Sequence, residues 1–360
     1  MTKFGVYIHW PFCKSKCPYC DFFSQVRNDV DQDSIVDSYL EDIAFYAQKT
    51  GHREVTSIFF GGGTPSLLSP QNIERIISAI DNNWTLSTNA EISLEANPNT
   101  QTPSLFTDLH HAGINRLSLG VQSLNDEELK FLGRTHNSTQ ALNALEDIVK
   151  TFDNHSADLI YALPQQSDKI WQQTLQQILT FNLKHLSLYQ LTIEEGTFFA
   201  KKGIRAMDDE ASTEMYISTT ELLEKNGYLH YEVSNYAQPN FECHHNLLYW
   251  QGQDYVGIGQ GAHGRLHINN HFFATTHPRN LEELSSQERA EELLLMGLRL
   301  CNGINKNDFK QICGLHFDDF INKTHIKELE EAELIANTPK NLRITPAGFL
   351  VMNKIIEELI

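Results

Sequence analysis

The first two-thirds of the chain alternates short apolar runs with amphipathic stretches, and that rhythm predicts its elements. The run "FGVYIH" (4–9) reads as a strand, and Ile35, Tyr39, Ile43 and Tyr46 then recur at helical spacing. "VTSIFF" (55–60) predicts a second strand and "PQNIERIISAI" (70–80) a helix. "EISLEAN" (91–97), a helix around "SLFTDLHHAG" (104–113) and "NRLSLG" (115–120) continue the pattern. Two helical stretches lead to "ADLIYALP" (157–164), and one more to "HLSLYQLTI" (185–193). About six strands result, most followed by a helix. Their Ile, Leu, Val and Phe content is that of a parallel sheet buried on both faces.

A βα alternation admits an open doubly wound sheet or a barrel. The placement of the unusual residues discriminates. Cys13 to Cys20 follow the first strand, "GGGTPS" (61–66) follows the second, and Glu95 and Asn97 end the third. "GVQS" (120–123) ends the fourth strand, Asp158 lies in the fifth and "YQLTIE" (189–194) closes the sixth. Polar or glycine-rich chemistry at the C-terminal end of strand after strand suggests one shared mouth, as in barrel enzymes. The expected fold class is therefore α/β, a complete or partial TIM-like (βα)6 barrel.

After about residue 200 the rhythm changes. A helix around Ser212 to Lys225 leads to "YEVSNYA" (231–237) and then "ECHHNLLYWQGQDYVGIGQGAHG" (242–264). The chain reads as helical from about residue 290, and "NLRITPAGFLVMNKIIEEL" (341–359) as a short strand or wing before a terminal helix. Three units are expected: a core barrel over 1–235, a mixed segment packed on it over 236–285, and a small, mostly helical, winged-helix-like unit over 286–360. Acidic residues in that tail are at least as frequent as basic ones, which favours a packing or lid role over DNA reading.

Composition narrows the partners. A formal net charge of -18 argues against nucleic acid or an anionic membrane surface, both of which attract basic proteins. No apolar run reaches the length of a membrane span. The strand pattern begins at Phe4, Val6 and Ile8, which leaves no room for a signal or transit peptide; a cytoplasmic protein is expected. Cysteines at 13, 17, 20, 243, 301 and 313 are too few and too clustered for a disulfide framework.

Three of them fall within "HWPFCKSKCPYCDFF" (9–23), with no fourth cysteine following. Closely spaced thiolates suit a soft metal or a cluster. A structural zinc site wants four closed ligands, and His9 is the only nearby candidate for the fourth. A [4Fe-4S] cubane on three cysteines instead leaves one iron open to a small molecule. Spacing favours the cluster and leaves zinc as the alternative. The "GGG" after the second strand has two readings as well: a turn needing positive φ, or a place where a ligand reaches backbone polar groups.

Cys13-x3-Cys17-x2-Cys20, with Tyr19 before the last cysteine, resembles the signature of radical S-adenosylmethionine (SAM) proteins. The wider set "VYIHWPFCKSKCPYCDFFS", "FFGGGTPSLL", "EISLEANP", "RLSLGVQSLNDEELKFLGRTH", "DLIYALPQQ" and "HLSLYQLTIEEGT" is similar to the oxygen-independent coproporphyrinogen oxidase family. The resemblance covers essentially the whole chain. It implies that Cys13, Cys17 and Cys20 bind three irons, while SAM chelates the fourth and is cleaved to a 5′-deoxyadenosyl radical. It implies SAM contacts for Tyr7, Tyr19, Gly62, Gly63, Thr64, Glu95, Gln122, Arg134 and Asp158. Each of the last four also has a plain structural reading: Glu95 a helix cap, Gln122 a backbone partner, Arg134 a solvated surface group. Asp158, before an apolar run, needs a partner because an unpaired carboxylate there is costly.

Two departures separate the chain from the oxidases. They follow the third cysteine with Gly and a fourth cysteine, whereas Cys20 is followed by Asp21 and Phe22; they also carry an N-terminal extension before the first strand. Both point to the haem-chaperone branch of the family. "HNLLYW", His245 to Trp250, fits the HNxxYW motif of that branch. A neutral imidazole is a good axial ligand for haem iron, and Tyr249 and Trp250 can flank a porphyrin. The bland reading is a hydrogen-bonded histidine in an aromatic core; Cys243 and His244 are rival ligands, and His263 either lines the same mouth or packs at a turn. Cys301 and Cys313 read as buried apolar residues.

Two functions follow from the resemblance. One is a haem chaperone that binds haem as cargo and a SAM-linked cluster, and delivers haem to respiratory proteins at the membrane. The other is a radical SAM oxidase that decarboxylates coproporphyrinogen, disfavoured by the absent fourth cysteine. Oligomeric state stays open, a homodimer included.

Overall fold

The computed structural model describes residues 3–99 and 104–360. Six parallel strands form its centre: β1 (Phe4–Trp10), β2 (Glu54–Gly62), β3 (Thr85–Ala96), β4 (Arg116–Gln122), β5 (Asn154–Tyr161) and β6 (His185–Gln190). Each pairs with the next in chain order. Helices Gln32–Thr50, Pro70–Asn83, Leu105–His111, Ser138–Thr151 and Asp168–Leu179 connect them. Side-chain caps fix where these helices begin. Ser69 accepts from Asn72 N with Pro70 at the first helical position, and Asn137 forms a reciprocal capping box with Gln140. The helices turn one apolar stripe to the sheet, as Ile73, Ile76 and Ile80 do, and these join one core with strand residues such as Val6, Ile58, Leu94, Leu117 and Leu159.

The sheet continues past both ends of this set. Beyond β6 lie β8 (Asn235–Ala237) and β7 (Leu229–Glu232), both antiparallel. Beyond β1 lies β9 (Asp254–Ile258), parallel to β1, followed by the antiparallel β10 (His263–Ile268), β11 (His271–Thr276) and β12 (Asn280–Leu284). The order is β12-β11-β10-β9-β1-β2-β3-β4-β5-β6-β8-β7, a partial barrel with extended flanks. Much of the segment expected to pack on the barrel is thus woven into its sheet. Strand β9 escapes a sequence reading because "DYVGIGQG" is short and glycine-rich, and pairing with β1 on one side and β10 on the other makes it a strand.

A second apolar core, from Ala290 and Leu294 to Ile355 and Ile356, belongs to the C-terminal part. Its helices surround a three-stranded sheet of Ile304–Asn305, Asn341–Ile344 and Ile335–Asn337, the expected winged arrangement. This part is tied to the β7 edge: Cys301 N donates to Tyr231 O at 3.0 Å and Val233 N to Arg299 O at 3.1 Å. Among the described residues, no helix is long and apolar enough to cross a membrane.

The helix His244–Trp250 lies across the N-terminal ends of the first strands. Its Leu248 and His245 side chains approach Gly5 of β1, and its N-terminus is capped from inside the barrel by Glu91 of β3. It forms the floor of the lumen.

Candidate functional site

The cysteine loop leaves β1 at Trp10 and is held at its base by the loop after β2. Gly63 N donates to Trp10 O at 2.7 Å and Thr64 N to Phe12 O at 2.9 Å. Residues Phe12–Cys13 pair with Gln25–Val26, and Cys20 N closes a turn on Cys17 O at 3.1 Å. A side chain at Gly63 would meet Phe12 O at 2.7 Å and the Cys13 sulfur at 3.0 Å. At Gly62, φ is +105° and an added Cβ would lie 2.7 Å from the His9 ring. Glycine is required at both positions by close approach, and at Gly62 by backbone conformation as well.

Cys13, Cys17, Cys20, Tyr19, Gly62, Gly63, Thr64, Glu95, Gln122, Arg134 and Asp158 line one cavity of about 360 Å³ at the C-terminal ends of the strands. The sequence reading therefore converges on one mouth. Gln122 adopts φ +66° where β4 ends, a left-handed conformation unfavourable for a residue with a Cβ, and such strain gathers at functional sites.

Arg134 is not a solvated surface group. It donates to the Cys17 sulfur at 3.3 Å, to Tyr19 OH at 3.4 Å, to Gly120 O at 3.2 Å and to Asn97 Oδ1. One guanidinium thus joins the cysteine loop to the ends of β3 and β4. Asp158 has the partner its setting demands, since Ser118 Oγ donates to its Oδ1 at 2.9 Å. Burial still raises its pKa, against the hydrogen bonds from Ser187 and Ser118. Glu95 is pushed up to about 8, first by desolvation and then by the nearby Asp158. Glu95 is therefore largely neutral near pH 7 until a ligand compensates its charge.

Tyr7 and His245 lie apart from that mouth, in an adjoining cavity of about 430 Å³. Phe22, Gly62, Glu95, Asp158 and Tyr189 line both spaces, so the lumen runs from the thiols at the top to the helix His244–Trp250 at the floor. Tyr7 OH is 3.1 Å from His9 Nδ1. The His245 ring is buried, with Nδ1 3.0 Å from Ser57 Oγ and Phe59, Tyr7, Tyr249 and Tyr255 around it. Desolvation pushes its pKa down to about 3, which keeps the imidazole neutral. Cys243 is fully buried, and burial pushes its thiol up to about 12, so a thiolate ligand there is disfavoured. His244 is exposed. Tyr249 and Trp250 do not flank one space: Tyr249 faces the lumen, whereas Trp250 lines a separate cavity of about 450 Å³ against the C-terminal part. The exposed His263 lines the lumen near Phe23 and Gly261.

Several residues of the site were missed by the sequence reading. Glu91 Oε1 accepts from His244 N at 2.9 Å and His245 N at 3.4 Å, and its Oε2 lies 3.9 Å from Arg116 Nε. Both partners of this ion pair are buried. The available signal was a charge inside each of two apolar runs, "EISLEA" and "RLSLG". Ser57 and Tyr189 carried no comparable signal.

The donor set is soft and sulfur-rich, as a cluster requires. Three thiols share a wall with glycine backbone and an arginine.

The sequence matches the Radical SAM superfamily over residues 7–178 and the HemN C-terminal domain over 284–351. Among solved structures, coproporphyrinogen III oxidase (HemN) from Escherichia coli superposes with a TM-score of 0.82 at 22% identity, covering 99% of this chain and 89% of that one. Fold and matched segments define a radical SAM protein of the HemN-like type. Among curated relatives, "Heme chaperone HemW" of Escherichia coli is 36% identical over 99% of this chain and 98% of its own length. The protein of that name from Buchnera aphidicola is 35% identical over 99% and 98%. "Radical S-adenosyl methionine domain-containing protein 1, mitochondrial" of Danio rerio is 33% identical over 99% and 86%. The chain belongs to the HemW family.

Proposed function

We propose that this chain is a haem chaperone: it binds a SAM-coordinated [4Fe-4S] cluster and haem, and delivers the haem to respiratory proteins at the membrane. The observation that carries this reading is one lumen with three thiols at its mouth and a neutral imidazole at its floor. Full-length likeness to proteins named as haem chaperones supports it. In this reading Cys13, Cys17 and Cys20 hold the cluster, which leaves one iron for SAM. The cluster, when bound, supplies one-electron chemistry to SAM. Tyr19, Gly62, Gly63, Thr64, Glu95, Gln122, Arg134 and Asp158 hold SAM at the mouth, and Tyr7 meets it from the adjoining lumen. His245 holds haem. The chain works in the cytoplasm and meets the membrane through a protein partner.

The oxidase reading is the weaker one, because Phe22 stands where the oxidases carry their fourth cysteine. Two anaerobic experiments on the reconstituted protein decide between them. A saturable Soret shift on haem titration, weakened by His245→Ala with the cluster absorbance intact, is the expected result. Turnover of coproporphyrinogen III with SAM and a reductant, or no specific haem binding, overturns the chaperone reading.

A further inference from the structure

The helix His244–Trp250 offers its aromatic residues to two different spaces, and only one of them suits a ligand on His245. The His245 ring lies on the lumen side, with Tyr7, Phe59, Tyr249 and Tyr255 around it. Trp250 looks the other way. An imidazole has two nitrogens, and Nδ1 of His245 is taken by Ser57 Oγ at 3.0 Å, both side chains being buried. The nitrogen left for a metal is Nε2. When Nε2 gives its lone pair to iron, the ring proton sits on Nδ1 and Ser57 Oγ accepts it. That is the outer-shell pattern which fixes tautomer and ring angle and raises the basicity of a ligating histidine.

We propose that Ser57 is a positioning residue for haem ligation, and that haem iron is bound through Nε2 of His245 from within the lumen, not from the Trp250 groove. This deepens the chaperone reading and rests on it. Two further features fit. Glu91 accepts from His244 N and His245 N, and so fixes the backbone from which the ring projects. The lumen cavity is continuous with the mouth through Phe22, Glu95, Asp158 and Tyr189, and its 430 Å³ is within the usual range of ligand sites. Ser57 is therefore held to the ring by the sheet and not by chance contact: it sits in β2, beside Gly5 of β1.

The experiment is a haem titration of the full-length, cluster-reconstituted protein with Ser57→Ala, Ser57→Thr, Trp250→Phe, His245→Ala and the Ser57→Ala/His245→Ala pair. Ser57→Ala is expected to weaken haem binding by about 10–100-fold, the usual effect of removing an outer-shell partner. It is also expected to lower the iron–histidine stretching frequency of the ferrous haem. Ser57→Thr, which keeps the hydroxyl, should restore the frequency, and Trp250→Phe should leave affinity unchanged. In the His245→Ala background, Ser57→Ala should cost nothing more. Wild-type affinity and frequency in Ser57→Ala, or a loss equal in both backgrounds, overturns the proposal while leaving the chaperone reading standing. A loss confined to Trp250→Phe places haem in the groove and overturns it too. Absence of saturable haem binding in the wild type defeats the chaperone reading itself.

Discussion

Arg134 donates from Nη1 to the Cys17 sulfur at 3.3 Å, across 117 residues of sequence. Its other bonds, to Tyr19 OH, Gly120 O and Asn97 Oδ1, tie the cysteine loop to the strand ends that line the mouth. A single planar fork makes these contacts, so their geometry is shared among them.

Replacing Arg134 by Ala should therefore loosen the mouth without removing a thiol. Hydrogen bonds from a charged group contribute about 1.5–3 kcal/mol each, so SAM affinity should fall by about 10–100-fold. Arg134→Lys should rescue little, since an ammonium cannot reproduce the fork. Calorimetric SAM titration with parallel iron analysis checks this, and iron content should stay near wild type.

Glu95 should make ligand binding pH-dependent. Its folded pKa of about 8 lies above the ordinary 4.5, so between these values the ligand-free folded chain keeps a proton that the unfolded chain has lost. Stability from this group accordingly falls as pH rises through that window. A ligand that favours the carboxylate should bind more tightly as pH rises toward 8, with proton release. Calorimetry at pH 7 in buffers of different ionisation enthalpy should show that release in the wild type, and Glu95→Gln should abolish it.

At Gly63 even one methyl group has nowhere to go, because Phe12 O and the Cys13 sulfur occupy its place. Gly63→Ala should displace Cys13 and leave the protein under-loaded with iron and sulfide. Reconstitution followed by iron analysis and visible absorbance checks this. A fully loaded variant would show that the loop yields more easily than its packing implies.

Glu91→Ala should be costly for another reason. It leaves Arg116 buried without its carboxylate, and loss of one partner of a buried pair costs about 3–5 kcal/mol. It also uncaps the helix His244–Trp250. Denaturant unfolding should show the loss, and haem binding at His245 should weaken beyond what the stability change alone requires.

Much of this was legible along the chain. Short apolar runs and period-3.6 stretches predict β1 to β6 and their helices, because a strand buried on both faces is apolar throughout and a helix buries one stripe, and that need is local. Cys13, Cys17 and Cys20 were legible because one short loop carries all three. Glu95, Gln122, Arg134 and Asp158 were expected as a set from the resemblance, and the packed strand ends bring them to one mouth. The cap by Glu91, the Ser57–His245 bond and the strand β9 were not legible, because each depends on a partner distant in sequence. A glycine-rich stretch becomes a strand when β1 and β10 offer their edges.

The sequence by itself determined the βα rhythm, the three-thiol loop and the motif that carries His245, since these depend on residue type and short spacing. Only the tertiary structure decided which side of the helix His244–Trp250 faces the lumen, that Trp250 looks away from His245, and that Arg134 and Glu91 are internal struts. The reason is physical. Direction and burial are properties of packed elements, and a buried charge reveals its purpose only when the group that neutralises it has been brought alongside.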